Sequence, residues 1–420
     1  MTTTYYMHDS SSPRATSLIA RIRQLISAYG PAIFVIGAII GTGSVSSLVW
    51  SGAEYGMDLL WALLLSCFFF WVLISSISRL TFASGQTFVG LAKTHFGKVG
   101  SFYIVFAIVV TQFTSNVGVL GIVTESFAAW LNLNPLMVSI GWSGLIYFLI
   151  AFGKYATFER VLIFFVTILG LSFIVNMFLA PPSLASVGSG LLPGIPEGGG
   201  VIAAAMVGTT LAGSVIVMRS YIVYDKGWTL NDLNHANRDA KFSGLMIFIV
   251  SAVIMACASA TLHVRGMHIE TALDMAYTLV PLMGKFAATL FVVGIVSAGV
   301  SSAFTNALVS TWSITDFAGW SRDARTIRFR LLAIPFCAAG IIAPLFGGKP
   351  VLLQIMSLAL QAIFLPLLVL FLLILTNKES VIGKHKSSTF INVLTVVTLL
   401  FSLFMAYQAF VGLGGLLQKV

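Results

Sequence analysis

Residues 36–45 read IGAIIGTGSV and residues 207–215 read VGTTLAGSV. Each is an apolar run broken by glycine, each contains Gly-Ser-Val, and the two lie in opposite halves of the chain. An interior glycine weakens a helix by about 1 kcal/mol relative to alanine. Two membrane-type helices interrupted by the same uncharged peptide therefore predict discontinuous helices that meet at one site near the bilayer midplane. That is the plan of a transporter with inverted repeats. The plain alternative is that small residues let neighbouring helices pack closely. Matching breaks in both halves argue against it.

Composition sets the class. Of 420 residues, 58% are hydrophobic and 9% charged, and the mean hydropathy is +0.98, far outside the range of soluble domains. The chain reads as an all-α polytopic membrane protein. Its net charge of +9 would suit nucleic acid only if Lys and Arg clustered on one soluble face. Here they sit in short loops, so no nucleic-acid partner is expected. The tail MTTTYYMHDSSSPRATS (1–17) has no basic start leading directly into a short apolar core, which argues against a cleaved signal peptide. Cys67, Cys257 and Cys337 lie inside apolar runs and read as buried thiols. An HExxH, a pair of membrane-embedded Asp residues and a Ser/His couple are all missing from the spans. Hydrolytic chemistry needs such groups, so the protein is read as no enzyme, with no cofactor.

With roughly 20 apolar residues per crossing, eleven spans are read. They fall near 31–52, 58–78, 101–131, 136–153, 158–180, 200–224, 242–263, 284–314, 328–347, 350–376 and 389–416. A cytoplasmic N-terminus puts 19 of the 23 Lys and Arg inside, leaving Arg265, Lys285, Lys349 and Lys419 outside. That bias is the one expected of cytoplasmic loops. The predicted location is the cell membrane, multi-pass, with the N-terminus cytoplasmic and the C-terminus external. The domain plan is a cytoplasmic tail (1–28), a first five-span repeat (29–180), an external Pro/Gly-rich connector (181–199), a second, inverted repeat (200–376), and a loop with an eleventh span (377–420).

Three stretches carry a family resemblance: SGAEYGMDLLWALLLS (51–66), SAGVSSAFTNALVSTW (297–312) and PVLLQIMSLALQAIFLPLLVLFLLILTNKESVIGKHKSS (350–388). They resemble the natural resistance-associated macrophage protein (NRAMP) family of divalent-metal transporters, in the right order over most of the chain. The resemblance implies a LeuT-like inverted repeat (5+5 spans) plus one extra span, proton-coupled metal import, and a metal site formed by an Asp-Pro-Gly-Asn motif and a Met-Pro-His motif. In this sequence the first motif falls on Gly41, Thr42, Gly43 and Ser44, and the second on Ala212, Gly213 and Ser214. Every side-chain metal ligand is replaced. A second histidine of the sixth span falls on Arg219, and a site-facing glutamine of the tenth falls on Leu358, one turn before Gln361.

The replaced site has its own chemistry. A divalent ion entering a low-dielectric pocket loses hydration worth tens of kcal/mol, which ligands and a compensating charge must replace. The predicted substrate-binding set is Gly41, Thr42, Gly43, Ser44, Thr209, Thr210, Ala212, Gly213, Ser214 and Gln361, with no resident metal ligand among them. Free N–H groups and the positive dipole where a helix restarts favour an anion. IIGTGS also looks like the Gly-x-Gly break of the amino acid–polyamine–organocation transporters. The leading reading is a secondary-active transporter working by alternating access, nominally for a metal ion. The alternative is a small organic anion, an amino acid or a metal chelate on the same fold. A sensor that kept the fold and lost transport is a third class, disfavoured because no signalling domain is appended.

Coupling candidates are Glu125, the one acid well inside an apolar run, and Arg219, which draws in an anion, replaces a proton-relay histidine, or reaches the headgroups. With the family's first-span Asp missing, protons as coupling ion would act through Glu125 or a substrate carboxyl, or not at all, and the other partners are a small-molecule or ion substrate and the lipid bilayer. His95, His235, His263, His268 and His385 read as loop or span-end residues. Ser301, Ser302 and Thr305 read as back-bonded to their own helix or as part of a polar stripe beside the site.

Overall fold

A computed structural model describes residues 41–153, 155–345, 349–384 and 386–417. The N-terminal tail, the first ten residues of the first expected span, Lys154, His385 and Lys419 lie outside the described residues. Twelve helices carry the fold. The first half comprises α1 (Thr42–Tyr55), α2 (Leu60–Ser84), α3 (Phe88–Leu131), α4 (Pro135–Phe152) and α5 (Tyr155–Leu179). The second comprises α6 (Gly200–Thr210), α7 (Gly213–Asp225), α8 (Leu233–Thr261), α9 (Ala287–Ala318), α10 (Ile327–Ala338) and α11 (Pro350–Leu375), and α12 (Thr389–Leu417) follows. Ten stretches among the described residues are long and apolar enough to cross a membrane, α6 and α7 together making one of them.

Local chemistry sets the ends. Asn134 caps α4 by accepting from the N–H groups of Leu136 and Met137, with Pro135 in the first turn where its missing N–H costs nothing. Gly153 closes α4 at φ 65° and Gly85 closes α2 at φ 63°, left-handed positions that glycine adopts without strain. Pro335 sits inside α10 and removes a backbone donor. The span continues beyond α10 as a 3₁₀ turn, Ala339–Ile341, and a last helical turn, Ile342–Leu345.

Two spans differ from the sequence reading in length. The third begins at Phe88 rather than near 101, because a short helix precedes it and joins it through Gly97, at φ 70° and ψ −170°. That conformation is essentially reserved for glycine. The preceding segment is held in place: Lys93 Nζ donates to the Phe317 carbonyl at 2.7 Å and the Phe88 N–H donates to Ser220 Oγ at 2.8 Å. The eighth span runs on to Ala318, where its end receives the Lys93 contact, while Ser220 belongs to α7.

The two halves interlock. The helix α1 packs on α8, α6 packs on α11, and α3 runs beside both α9 and α11. Most of α2 and of the α6–α7 span is buried, whereas α5 and α12 turn most of their surface outward. In the sixth span the helix stops at Thr210 and restarts at Gly213, with Leu211 and Ala212 (φ −50°, ψ 132°) between them. The first described helix likewise starts at Thr42, directly after extended Gly41. The break in the sixth span and the start of α1 both lie among buried residues.

Candidate functional site

The start of α1 faces the break in the sixth span. Ser44 Oγ and Thr209 Oγ1 lie 3.1 Å apart in a hydrogen bond that joins α1 to α6. Around this bridge is a cavity of about 50 Å³, walled on one side by Gly41, Gly43 and Ser44 and on the other by Thr209, Ala212 and Ser214. At roughly 10–15 Å³ per water, it holds about four waters, or one ion with part of its shell. The helices α1 and α7 both begin here, so two positive helix ends border the space.

Three further helices complete the wall. Gln112 and Ser115 come from α3, Ser302, Thr305 and Asn306 from α9, and Gln354, Leu358 and Gln361 from α11. No charged side chain lines the cavity, and Met218 adds one thioether. Among the described residues no group of three or more His, Cys, Asp or Glu side chains is placed to hold a metal.

The amides are oriented rather than loose. Asn306 donates from Nδ2 to Asn116 Oδ1 at 2.9 Å and to Ser115 Oγ at 3.3 Å. Asn116 in turn donates to the carbonyls of Ala303 and Phe336 at 3.2 and 3.0 Å. This relay uses the Asn306 amine and leaves its oxygen for the cavity. Gln354 is fully buried, its side chain running between the bare backbones of Gly43 and Gly118. Among the described residues neither Gln354 Oε1 nor Nε2 has a hydrogen-bond partner, and Ser302 Oγ has none either. Buried groups left unmatched cost about 1–3 kcal/mol each. Three such atoms around one cavity mark it as a place where a substrate or waters complete the bonding.

Several sequence-predicted residues lie elsewhere. Thr42 turns away from the cavity and donates from Oγ1 to the Ile295 carbonyl at 3.2 Å. Thr210 Oγ1 back-bonds to the Met206 carbonyl at 3.0 Å. Gly213 faces Leu368 rather than the cavity. None of these three lines the cavity. Gln112, Ser115, Asn306 and Gln354 were missed, although uncharged carboxamides inside apolar helices were a readable signal. Thr305 back-bonds to the Ser301 carbonyl at 3.0 Å and still lines the cavity, whereas Ser302 does not back-bond.

The coupling candidates are placed apart from this cavity. Glu125 borders a separate outer cleft beside Thr124 and Asn132, its Oε2 accepting from the Ala272 N–H at 3.2 Å. Arg219 is buried and paired with Asp239, Nη1 to Oδ2 at 2.7 Å, while its Nε donates to Ser78 Oγ at 3.0 Å. Beside it, Ser220 Oγ bridges Thr81 Oγ1, at 3.0 Å, and the Phe88 N–H. A polar lattice thus ties α2, α3, α7 and α8 together beside the cavity-lining Met218. Of the histidines, His263 Nδ1 lies 2.9 Å from the Ala53 carbonyl and His268 Nδ1 lies 2.8 Å from Glu54 Oε1. That carboxylate's hydrogen bond, and then its charge, raise the His268 pKa above the ordinary value.

Comparison with known proteins agrees with this geometry. The family model described as natural resistance-associated macrophage protein-like matches residues 32–412. A divalent metal cation transporter MntH of Deinococcus radiodurans is 26% identical over 391 residues, covering 88% of this chain and 86% of that protein. One from Klebsiella pneumoniae strain 342 is 25% identical over 399 residues, covering 92% of each. Among solved structures, the H236A mutant of the Eremococcus coleocola manganese transporter superposes with a TM-score of 0.73 at 15% identity, covering 95% of this chain and 88% of that one. Mhp1, a nucleobase-cation-symport-1 family transporter in a closed conformation, superposes with a TM-score of 0.58 at 15% identity, covering 92% and 90%. The family match over nearly the whole length is carried by a fold of the same kind, and the chain belongs to the Nramp-like family.

Proposed function

We propose that this Nramp-like membrane transporter carries a hard divalent cation, with Mg²⁺ as the reference case, in a partly hydrated form through the cavity between the two broken helices. The observation that carries the reading is the set of carboxamide and hydroxyl oxygens around a water-sized space, above all the unpartnered Gln354 amide. Carboxamide carbonyls and waters are ligands for hard cations, and Mg²⁺ surrenders its waters reluctantly. A cavity of about 50 Å³ leaves room for several of them. A bare transition metal would instead need the carboxylate, imidazole or thiolate set that this wall lacks. The MntH relatives are named as divalent metal cation transporters, which supports the cation class. The departure from them lies in hardness and hydration.

Alternating access follows from the inverted-repeat fold. The bias of Lys and Arg supports a cell-membrane protein with a cytoplasmic N-terminus and an external C-terminus. Proton coupling through Glu125 fits its position beside the outer cleft, and loss of a pH-gradient response in Glu125→Gln is the corresponding test. Retained coupling in that variant counts Glu125 out.

The deciding experiment is flux into proteoliposomes containing the purified chain, with Mg²⁺ and Mn²⁺ presented separately and together. Transport of Mg²⁺ with weak competition by Mn²⁺ is expected. No flux of either ion sinks the reading. One observation favours a second reading: the starts of both α1 and α7 point positive helix ends at the cavity, an arrangement that suits a small carboxylate or zwitterion. A thermal-stability screen with amino acids and organic acids distinguishes it, since a ligand of the folded state raises Tm.

A further inference from the structure

A groove of about 310 Å³ lies on the outer surface between α2 and α8, away from the transport cavity. Its floor is a close helix approach: a β-carbon on Gly244 would meet the Cys67 carbonyl oxygen at 2.9 Å. Its walls are apolar and exposed, with Leu64, Phe68 and Leu245 all standing on the surface, as expected of helices facing acyl chains.

Two polar atoms break this apolar surface, at one place. Lys241 Nζ lies 4.9 Å from the centre of the Trp71 ring. No carboxylate pairs with Lys241 among the described residues. Trp71 Nε1 is shielded from solvent and has no hydrogen-bond partner among the described residues. Lys241 stands eight residues into α8, about 12 Å along its axis at 1.5 Å per residue. Lys241 therefore stands at the polar edge of the seventh span, read from the sequence near 242–263, at the level where basic side chains meet phospholipid headgroups, and a shielded indole N–H without an acceptor beside it is costly. One acceptor carrying negative charge would satisfy both. Along the same face of α8, exposed Arg238 precedes Lys241 by about one turn, while Leu245 and Phe248 follow it. The stripe is cationic at its Lys/Arg-rich end and apolar beyond, which matches the polarity of a phospholipid along its own length.

We propose that this groove is a binding site for an anionic glycerophospholipid. Its phosphate is held between Lys241 Nζ and the Trp71 indole N–H, and an acyl chain lies along Leu64, Phe68, Leu245 and Phe248. The leaflet, that of the cytoplasmic side, rests on the orientation proposed above; the site itself does not. Charge complementarity selects the occupant: a zwitterionic lipid adds a cation beside Lys241, and a neutral one offers no anionic oxygen.

The test is native mass spectrometry of the full chain in detergent, titrated with phosphatidylglycerol or phosphatidylcholine of equal chain length. The wild type is expected to retain one phosphatidylglycerol more tightly than any phosphatidylcholine. Lys241→Gln weakens that first binding at least three-fold, Lys241→Arg preserves it, and Trp71→Phe, which keeps the ring and removes the donor, weakens it without changing phosphatidylcholine binding. Equal retention of the two lipids by the wild type means an ordinary annular lipid and overturns the proposal. Undiminished phosphatidylglycerol binding in Lys241→Gln overturns it equally, and places the occupant elsewhere or leaves the groove to the chain's own N-terminal segment. No flux is measured, so the result stands apart from the identity of the transported substrate.

Discussion

Replacing Asp239 with Asn should destabilise the protein strongly, while replacing both members of the Arg219–Asp239 pair with apolar residues should not. Both side chains are 1% exposed and the contact is 2.7 Å. At an effective dielectric near 20, opposite charges about 4 Å apart attract by about 4 kcal/mol. Asp239→Asn removes that attraction and leaves the buried guanidinium without a counter-charge, facing a neutral amide, Ser78 Oγ at 3.0 Å and the Trp228 ring at 5.8 Å. The expected cost is therefore about 3–5 kcal/mol, the range for breaking a buried pair. The pair is not fully satisfied even when intact, since Arg219 Nη2 and Asp239 Oδ1 have no partner. Desolvation is thus only partly offset, and Arg219→Met/Asp239→Leu should be neutral or stabilising by up to about 4 kcal/mol. The assay is thermal unfolding in one detergent, monitored by fluorescence-detected gel filtration. A double variant as unstable as Asp239→Asn would refute the electrostatic account. The same double variant also tests Arg219 as a coupling group: if it folds and keeps its pH response, Arg219 has a structural role alone.

Gln354→Leu keeps the bulk of the side chain and removes the amide, so divalent flux should fall at least ten-fold with Tm unchanged or raised; a Tm drop with normal flux would make Gln354 a structural residue. Gly97→Ala should cost about 1–3 kcal/mol from backbone strain alone, because a β-carbon there meets nothing within 4 Å; an unchanged Tm would mean that the bend is not held at positive φ. His268 has its pKa raised by Glu54, so its pair is fully formed below the ordinary histidine value near 6.5 and is lost as pH rises through the raised one. The Tm difference between wild type and His268→Gln should accordingly be largest in acid and vanish in alkali, and a difference that grows with pH would contradict the assignment.

The outline of the fold was legible because membrane helices announce themselves by length, and the two breaks announce themselves as matching glycine-rich interruptions. The site was half legible. Ser44 and Thr42 are two residues apart on one helix, so they point to nearly opposite sides; only one could face the cavity. The sequence reading kept both. Glycine and serine at the breaks were visible, yet Gln112, Asn306 and Gln354 belong to helices apolar on nearly every face, where periodicity gives no inward direction. Their orientation depends on tertiary neighbours such as Asn116, Gly43 and Gly118. Arg219 was ambiguous for the same reason, since its partner Asp239 lies on the next helix and no local pattern links them.

A neutral binding site is compatible with cation transport when the charge sits elsewhere. On the side opposite the Lys/Arg-rich loops lie Glu54, Asp58, Glu125, Glu197, Glu270 and Asp274, against Arg265, Lys285 and Lys349 among the described residues. An acidic entrance raises the local concentration of cations over about one Debye length, roughly 8 Å in physiological salt. The ion then passes from this field into a wall of amides and hydroxyls that can replace part of its hydration but not its counter-charge. On the proposed reading, binding there is weaker than at a carboxylate site, and release is correspondingly faster once the opposite side opens. In a site built on carboxylates, affinity and charge compensation are supplied by the same atoms. Here they are separated, so mutation of the entrance should alter capture, whereas mutation of Gln354 or Asn306 alters recognition.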